Sequence, residues 1–393
     1  MNEFKLKASY GTVGNSEIGY YNAQSYFDSS LYGKDYALLL GNIGDDNLQW
    51  ETSNKFDIGF SMQFLNNITV DFDYYNTKTS SLVFAVPQGP STGIGSLVTN
   101  AGAMRNSGIE LAIGADVIKR KNFVWSTNFN FTYAKNEVVE LANGVTEIYG
   151  ESECNITIPG YSVGQLYVYP TGGIDSETGQ RIFYGPNGEW TRLDMSTGSP
   201  TWYLKDGTAY KGGFERVRAG NTLPTYFGGW TNTFRFYGFD VTLFLQYSGG
   251  NWIYNGTGAS LSDFRWWNNS MDVYENYWKE PGDNAKYPKP YYGDNYSNGS
   301  AMEITDWVER GDYLRVKNIC LGYTFNTKKW NQKLGISSLR LYVQCQNALT
   351  LTGYSGLDPE TNSMTGDMIL SGGFDKNTLP QARTWTGGLN ITF

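Results

Sequence analysis

Between Trp252 and Trp307 the chain carries Trp252, Tyr254, Phe264, Trp266, Trp267, Tyr274, Tyr277 and Trp278, then Tyr287, Tyr291 and Tyr292, interleaved with Asn, Asp and Gly. Aromatic faces beside amides and carboxylates are what a sugar needs: its C–H face stacks on a ring and its hydroxyls are hydrogen-bonded. The first eight of these residues are the candidate substrate-binding set. The same types also suit a rigid packed loop, an interfacial girdle or a protein interface. Asp71 and Asp73 share a face at a spacing that resembles a glycosidase pair, and they read more simply as solvated lumen carboxylates. The acidic turns Asp175-Ser176-Glu177 and Asp358-Pro359-Glu360 lack the spacing of a calcium loop and read as solvated turns. The cations Arg315, Lys317 and Arg340 are expected to satisfy acids in an aqueous lumen.

Other chemistries are excluded by composition. The chain has no His, which removes His-based triads, proton shuttles and most zinc sites. The three cysteines, Cys154, Cys320 and Cys345, are too far apart for a metal cluster and read as free thiols. No catalytic residue, cofactor or metal is expected. A net charge of −8 without a Lys/Arg cluster argues against nucleic-acid binding.

The elements that must position these groups are strands. From Ser53 to Tyr75, Phe56, Ile58, Phe60, Met62 and Phe64 alternate with Lys55, Asp57, Gly59, Ser61 and Gln63. After a Leu65-Asn66-Asn67 turn, Ile68, Val70, Phe72 and Tyr74 alternate with Thr69, Asp71 and Asp73. A period of two places successive side chains on opposite sheet faces. Runs this long, aromatic on one face and polar on the other, are what a membrane-spanning barrel requires. A one-residue slip would aim Lys55 and Asp57 at lipid, at a cost of about 2–4 kcal/mol for a Lys at the midplane. About ten such strands can be placed by their alternation, the first over Phe4–Thr12 and the last ending at Phe393, with a bulge near Lys317.

Short connections (65–67, 119–122, 237–238, 326–337) alternate with long polar ones (13–52, 84–107, 134–224, 248–311, 350–381). Short periplasmic turns and long extracellular loops are the pattern of outer-membrane barrels. No apolar run reaches the length of a transmembrane helix, so a membrane reading must be a β-barrel reading. The fold class is all-β: a transmembrane antiparallel β-barrel with long extracellular loops.

Ala8-Ser9-Tyr10-Gly11-Thr12-Val13-Gly14-Asn15, Trp50-Glu51-Thr52 with Ile58-Gly59, and Asn106-Ser107-Gly108-Ile109-Glu110-Leu111 stand in order along the chain. So do Gly173-Ile174-Asp175 with Thr178-Gly179, Tyr313-Leu314-Arg315-Val316-Lys317-Asn318-Ile319, and Gln346-Asn347-Ala348-Leu349 with Gly356-Leu357-Asp358-Pro359-Glu360. Together with the terminal Phe393, this series resembles the C-terminal part of the β-barrel of SusC-like (SusC/RagA) TonB-dependent outer-membrane transporters. The resemblance implies that residues 1–393 are about the last ten strands of a roughly 22-stranded barrel, with the plug domain and signal peptide outside this chain. It implies active import of oligosaccharides across the outer membrane, a SusD-like surface lipoprotein as partner, and coupling to the TonB complex through the plug. Peptide cargo is the alternative within the family. A passive or adhesin-like barrel and a soluble glycan-binding β protein are the readings outside it.

Overall fold

Alternation becomes long antiparallel strands. The computed structural model describes residues 2–393 apart from 17–20, 88, 90, 92, 101, 143, 151–153, 266–267, 327–334 and 364–369. Its main sheet has ten strands: β1 (Glu3–Asn15), β2 (Glu51–Phe64), β3 (Ile68–Ser80), β4 (Gly102–Arg120), β5 (Phe123–Leu141), β6 (Tyr226–Phe236), β7 (Phe239–Gly249), β8 (Tyr313–Thr324), β9 (Ser338–Thr352) and β10 (Thr384–Thr392). Each strand pairs antiparallel with its neighbours in this order, an up-and-down meander. Among the described residues β1 and β10 each pair on one side only, so the sheet is an open wall.

The register joins like with like. Leu6 faces Phe60, Phe60 faces Phe72, Phe72 faces Leu111 and Leu111 faces Phe131, an apolar row across half the wall. The Phe60 and Phe72 rings stack 5.5 Å apart. The neighbouring row on the other face runs Lys7, Gly59, Asp73, Glu110 and Thr132. Leu6 is 72% exposed and Leu321 50%, as lipid-facing side chains must be when no lipid is counted. Asn232 falls in the apolar phase; it is buried, and its Oδ1 accepts from the Trp125 indole N–H at 3.0 Å, so its polar group is covered. At the β6–β7 turn, Tyr237 and Gly238 take φ of 48° and 89°, the two positive values of the turn that matches strand twist.

The bulge expected near Lys317 is present: Phe244 pairs with Asn318 and Leu245 with Val316, leaving Lys317 unpaired. It returns the apolar residues of β8 to one face. A second bulge interrupts β4 between Asp116 and Ile118.

Two expectations are corrected. The strands run further than the alternation: β4 has 19 residues where alternation marks only Gly108–Val117. At about 3.3 Å per residue it outreaches the ~25 Å lipid band even when tilted. Beyond that band nothing imposes an apolar face. Nor are the long connections irregular. They hold the hairpins Tyr26–Tyr32/Asp35–Asn42 and Val83–Pro87/Ser96–Asn100, two four-stranded sheets, and the helices α1 (Gly256–Leu261) and α2 (Met271–Asn276). Trp252–Asn255 pairs with Val308–Arg310 on one side and, in parallel, with Phe374–Asp375 on the other. Leu166, Phe183, Tyr254, Ile304, Trp307 and Phe374, from three successive loops, share one buried cluster. The apolar core therefore sits in a cap above the wall rather than in the wall.

Candidate functional site

The cap gathers the predicted aromatic residues but does not lay them on one open surface. Tyr254 is 1% exposed: its ring stacks on Phe374 at 5.6 Å and its hydroxyl donates to the Gly299 carbonyl at 3.0 Å. Burial pushes that hydroxyl well above the usual tyrosine pKa. Phe264 and Trp278 are also buried, and the Trp278 indole N–H donates to the Ser176 carbonyl at 2.7 Å. These rings hold the cap together. Trp252 and Tyr277 are half-buried, with the Arg310 guanidinium 4.8 Å above the first ring and the Lys279 ammonium 5.4 Å above the second. Tyr274, on α2, is 69% exposed. Trp266 and Trp267 lie outside the described residues.

Arg181 ties the cap's layers. Its buried guanidinium donates to the Ser297 carbonyl at 2.7 Å, to Asn298 Oδ1 at 3.2 Å and to Asp306. Asp294 is buried with Oδ1 accepting from the backbone N–H groups of Tyr296 and Ser297, and burial raises its pKa.

On the wall's polar face several charges are paired, as expected of Arg315 and Arg340. Arg340 meets Asp240 at 2.5 Å, and Lys7 meets Asp73 at 3.0 Å and Asp71 at 3.9 Å. That pairing makes Asp71 and Asp73 partners of one ammonium. The acidic turn at Asp358 is not a solvated turn: Asp358 is 3% exposed and meets buried Arg315 at 2.5 Å, while Glu360 meets the same guanidinium at 2.8 Å. Glu360 also accepts from Tyr313 at 2.8 Å, and Lys317 donates to Gln381 at 3.1 Å. These contacts pin the last long loop to the extracellular end of β8. The other acidic turn is tied to its surroundings as well: Asp175 accepts from Thr178 Oγ1 at 2.5 Å and meets Arg192 at 3.6 Å. Among the described residues no three acidic or thiol side chains converge as a metal site would require. Cys320 and Cys345 lie on opposite faces of the wall.

A second aromatic cluster escaped the sequence reading. The strand Gln165–Val168 sends Leu166 and Val168 into the cap core, so Tyr167 takes the opposite face; Tyr169, just past the strand, packs partly against the core. With Tyr149, Phe214, Glu215 and Arg216 they line an open cleft of about 520 Å³. Its strands are too short to show periodicity, and its members come from three separate segments, around Tyr149, around Tyr167 and, 45 residues beyond Tyr169, at Phe214.

The family model described as "TonB dependent receptor-like, beta-barrel" matches residues 1–348. The chain belongs to the TonB-dependent receptor β-barrel family. It is 32% identical to TonB-dependent receptor P3 of Formosa agariphila over 99% of its own length and 39% of that protein's. It is 27% identical to TonB-dependent receptor SusC of Bacteroides thetaiotaomicron, over 100% of this chain and 38% of that one. Among solved structures, the RagAB peptide transporter superposes with a TM-score of 0.82 at 26% identity, covering 99% of this chain and 41% of that one. The chain thus spans about 40% of the length of the relatives it matches. This receptor-barrel wall is an outer-membrane structure, and its relatives are named as receptors and transporters, not as enzymes.

Proposed function

We propose that this chain supplies ten strands of the barrel wall, and the folded cap above them, in an outer-membrane importer of oligosaccharides. The observation that carries the reading is the pairing of an open wall with an aromatic, internally packed cap. Edges as bare as those of β1 and β10 are not tolerated in hydrocarbon, so further strands would close the barrel. The charged inner face suits a water-filled passage or a plug. Trp252, Tyr274 and Tyr277 keep accessible ring area and are the members of the predicted set proposed to meet cargo, while Tyr254, Phe264 and Trp278 support them. A SusD-like lipoprotein would cover the cap from outside, and a plug domain would couple opening to the TonB complex.

Peptide import is the second reading, favoured by the likeness to the RagAB peptide transporter. Uptake of fluorescent neutral oligosaccharides and of labelled peptides by cells with and without the full-length gene separates the two. Loss of oligosaccharide uptake on deletion supports the first. Loss of peptide uptake alone replaces it with the second.

A further inference from the structure

We propose that the cleft of Tyr149, Tyr167, Tyr169, Phe214, Glu215 and Arg216 is a binding site for an uncharged sugar. This rests on the oligosaccharide reading above and assigns the ligand to rings other than those of the Trp252–Trp307 segment, which borders the cleft at Glu303.

The cleft is built, not left over. Tyr149 and Tyr167 stand 6.1 Å apart with their planes tilted by 49°, an angled pair of faces. Tyr149 is 49% exposed, yet its hydroxyl is engaged, donating to Glu147 at 2.8 Å. That bond, with burial and the Glu147 charge, pushes the Tyr149 pKa up to about 12. The ring is held by its tip and stays half exposed. Phe214 is fixed from behind by Trp202 at 4.3 Å and Tyr210 at 5.5 Å. Arg216 lies over Tyr169 at 5.0 Å and is paired with Glu303 at 2.9 Å. Rings fixed in this way lose little side-chain entropy when a ligand arrives.

The volume of about 520 Å³ lies within the range of small-ligand sites. The charges narrow the class. Three carboxylates stand at the cleft, Glu215 in its lining, Glu147 on Tyr149 and Glu303 on Arg216, against two guanidiniums: Arg216, which Glu303 neutralises, and Arg218, opposite Tyr167 on the next strand and drawn over the Tyr161 ring. A uronate or sulfated sugar would meet excess negative charge, and specificity of this kind comes from repulsion as much as attraction. A neutral pyranose can stack its C–H face on the tyrosines and donate its hydroxyls to Glu215.

The test uses the full-length transporter in detergent, titrated calorimetrically with neutral hexasaccharides of glucose, galactose and xylose, and with hexagalacturonate. At least one neutral probe is expected to bind and hexagalacturonate is not. Tyr149→Ala/Tyr167→Ala removes two stacking faces and should weaken that binding about tenfold, whereas Tyr167→Phe keeps the ring and the affinity. Unchanged melting of both variants excludes misfolding as the cause, and if the double variant melts lower, Glu215→Lys, which should admit hexagalacturonate, decides instead. Wild-type affinity in the double variant, or no gain in Glu215→Lys, overturns the cleft and leaves the importer reading intact if cells still take up the probe. Failure of every neutral probe, with peptide uptake intact, overturns both.

Discussion

Removing the Asp358 carboxylate should release the last long loop from the wall. Arg315 and Asp358 are 1% and 4% exposed at their side chains, so the ion pair is out of water on both sides. Breaking a buried pair from one end costs about 3–5 kcal/mol, against about 0–1 for an exposed one. Glu360 would still hold Arg315 at 2.8 Å, which places Asp358→Ala at the low end, about 3 kcal/mol. Asp358 also accepts from the backbone N–H groups of Glu360 and Gln381, both at 3.0 Å, so the loss is local to the stretches around those residues, 356–363 and 378–383. Amide hydrogen exchange of that loop in the full-length protein should accelerate on the order of a hundredfold, while β4 and β5 stay protected. Arg315→Met/Asp358→Leu, which leaves no uncompensated charge, should recover most of the protection. Exchange within threefold of wild type for Asp358→Ala, or no recovery in the double variant, would refute the argument. The pH dependence has a definite sign. Burial pushes the Asp358 carboxyl up, but the Arg315 hydrogen bond and the N–H groups of Gln381 and Glu360 outweigh it, so its pKa is lowered from 3.8. A lowered carboxyl contributes stability above the unfolded pKa that disappears as pH falls through the folded one. Loop protection should therefore hold from neutral pH down to about 4 and fail below it.

Phe72→Lys places a charge in the middle of the lipid-facing row and should cost about 2–4 kcal/mol in urea unfolding from lipid vesicles, whereas Asp71→Asn on the other face should cost under about 1 kcal/mol. Gly59→Ala is expected to block β2–β3 pairing, because the added Cβ would run into Asp73 Oδ1 and the Phe72 carbonyl oxygen; loss of the heat-resistant, folded band on electrophoresis reads this out. Phe264→Ala should cost the cap about 3–5 kcal/mol and open it to protease, with the far-UV spectrum of the wall unchanged.

The wall was legible because lipid imposes a rule on every residue it touches. Period-two alternation marks all ten strands and which of their residues share a face, and the phase change around Lys317 marks the bulge. Strand ends were not legible: the extension of β5 to Leu141 lies beyond the lipid, where hydrogen bonding continues without an apolar requirement. The Trp252–Trp307 segment could be recognised as aromatic, but not divided into buried Tyr254, Phe264 and Trp278 and exposed Tyr274.

The sequence by itself determined an outer-membrane β wall, the sidedness of its residues and its family resemblance, since each follows from local spacing against a uniform solvent. Only the tertiary structure decided what the loops are. Their strands are two to five residues long in most cases, too short for a periodic signal. Their order comes from contacts such as Tyr254 on Phe374 and Arg315 with Asp358, between residues tens of positions apart. Contacts of that kind leave no pattern in the chain, and it is they that set Tyr149, Tyr167 and Tyr169 around one cleft.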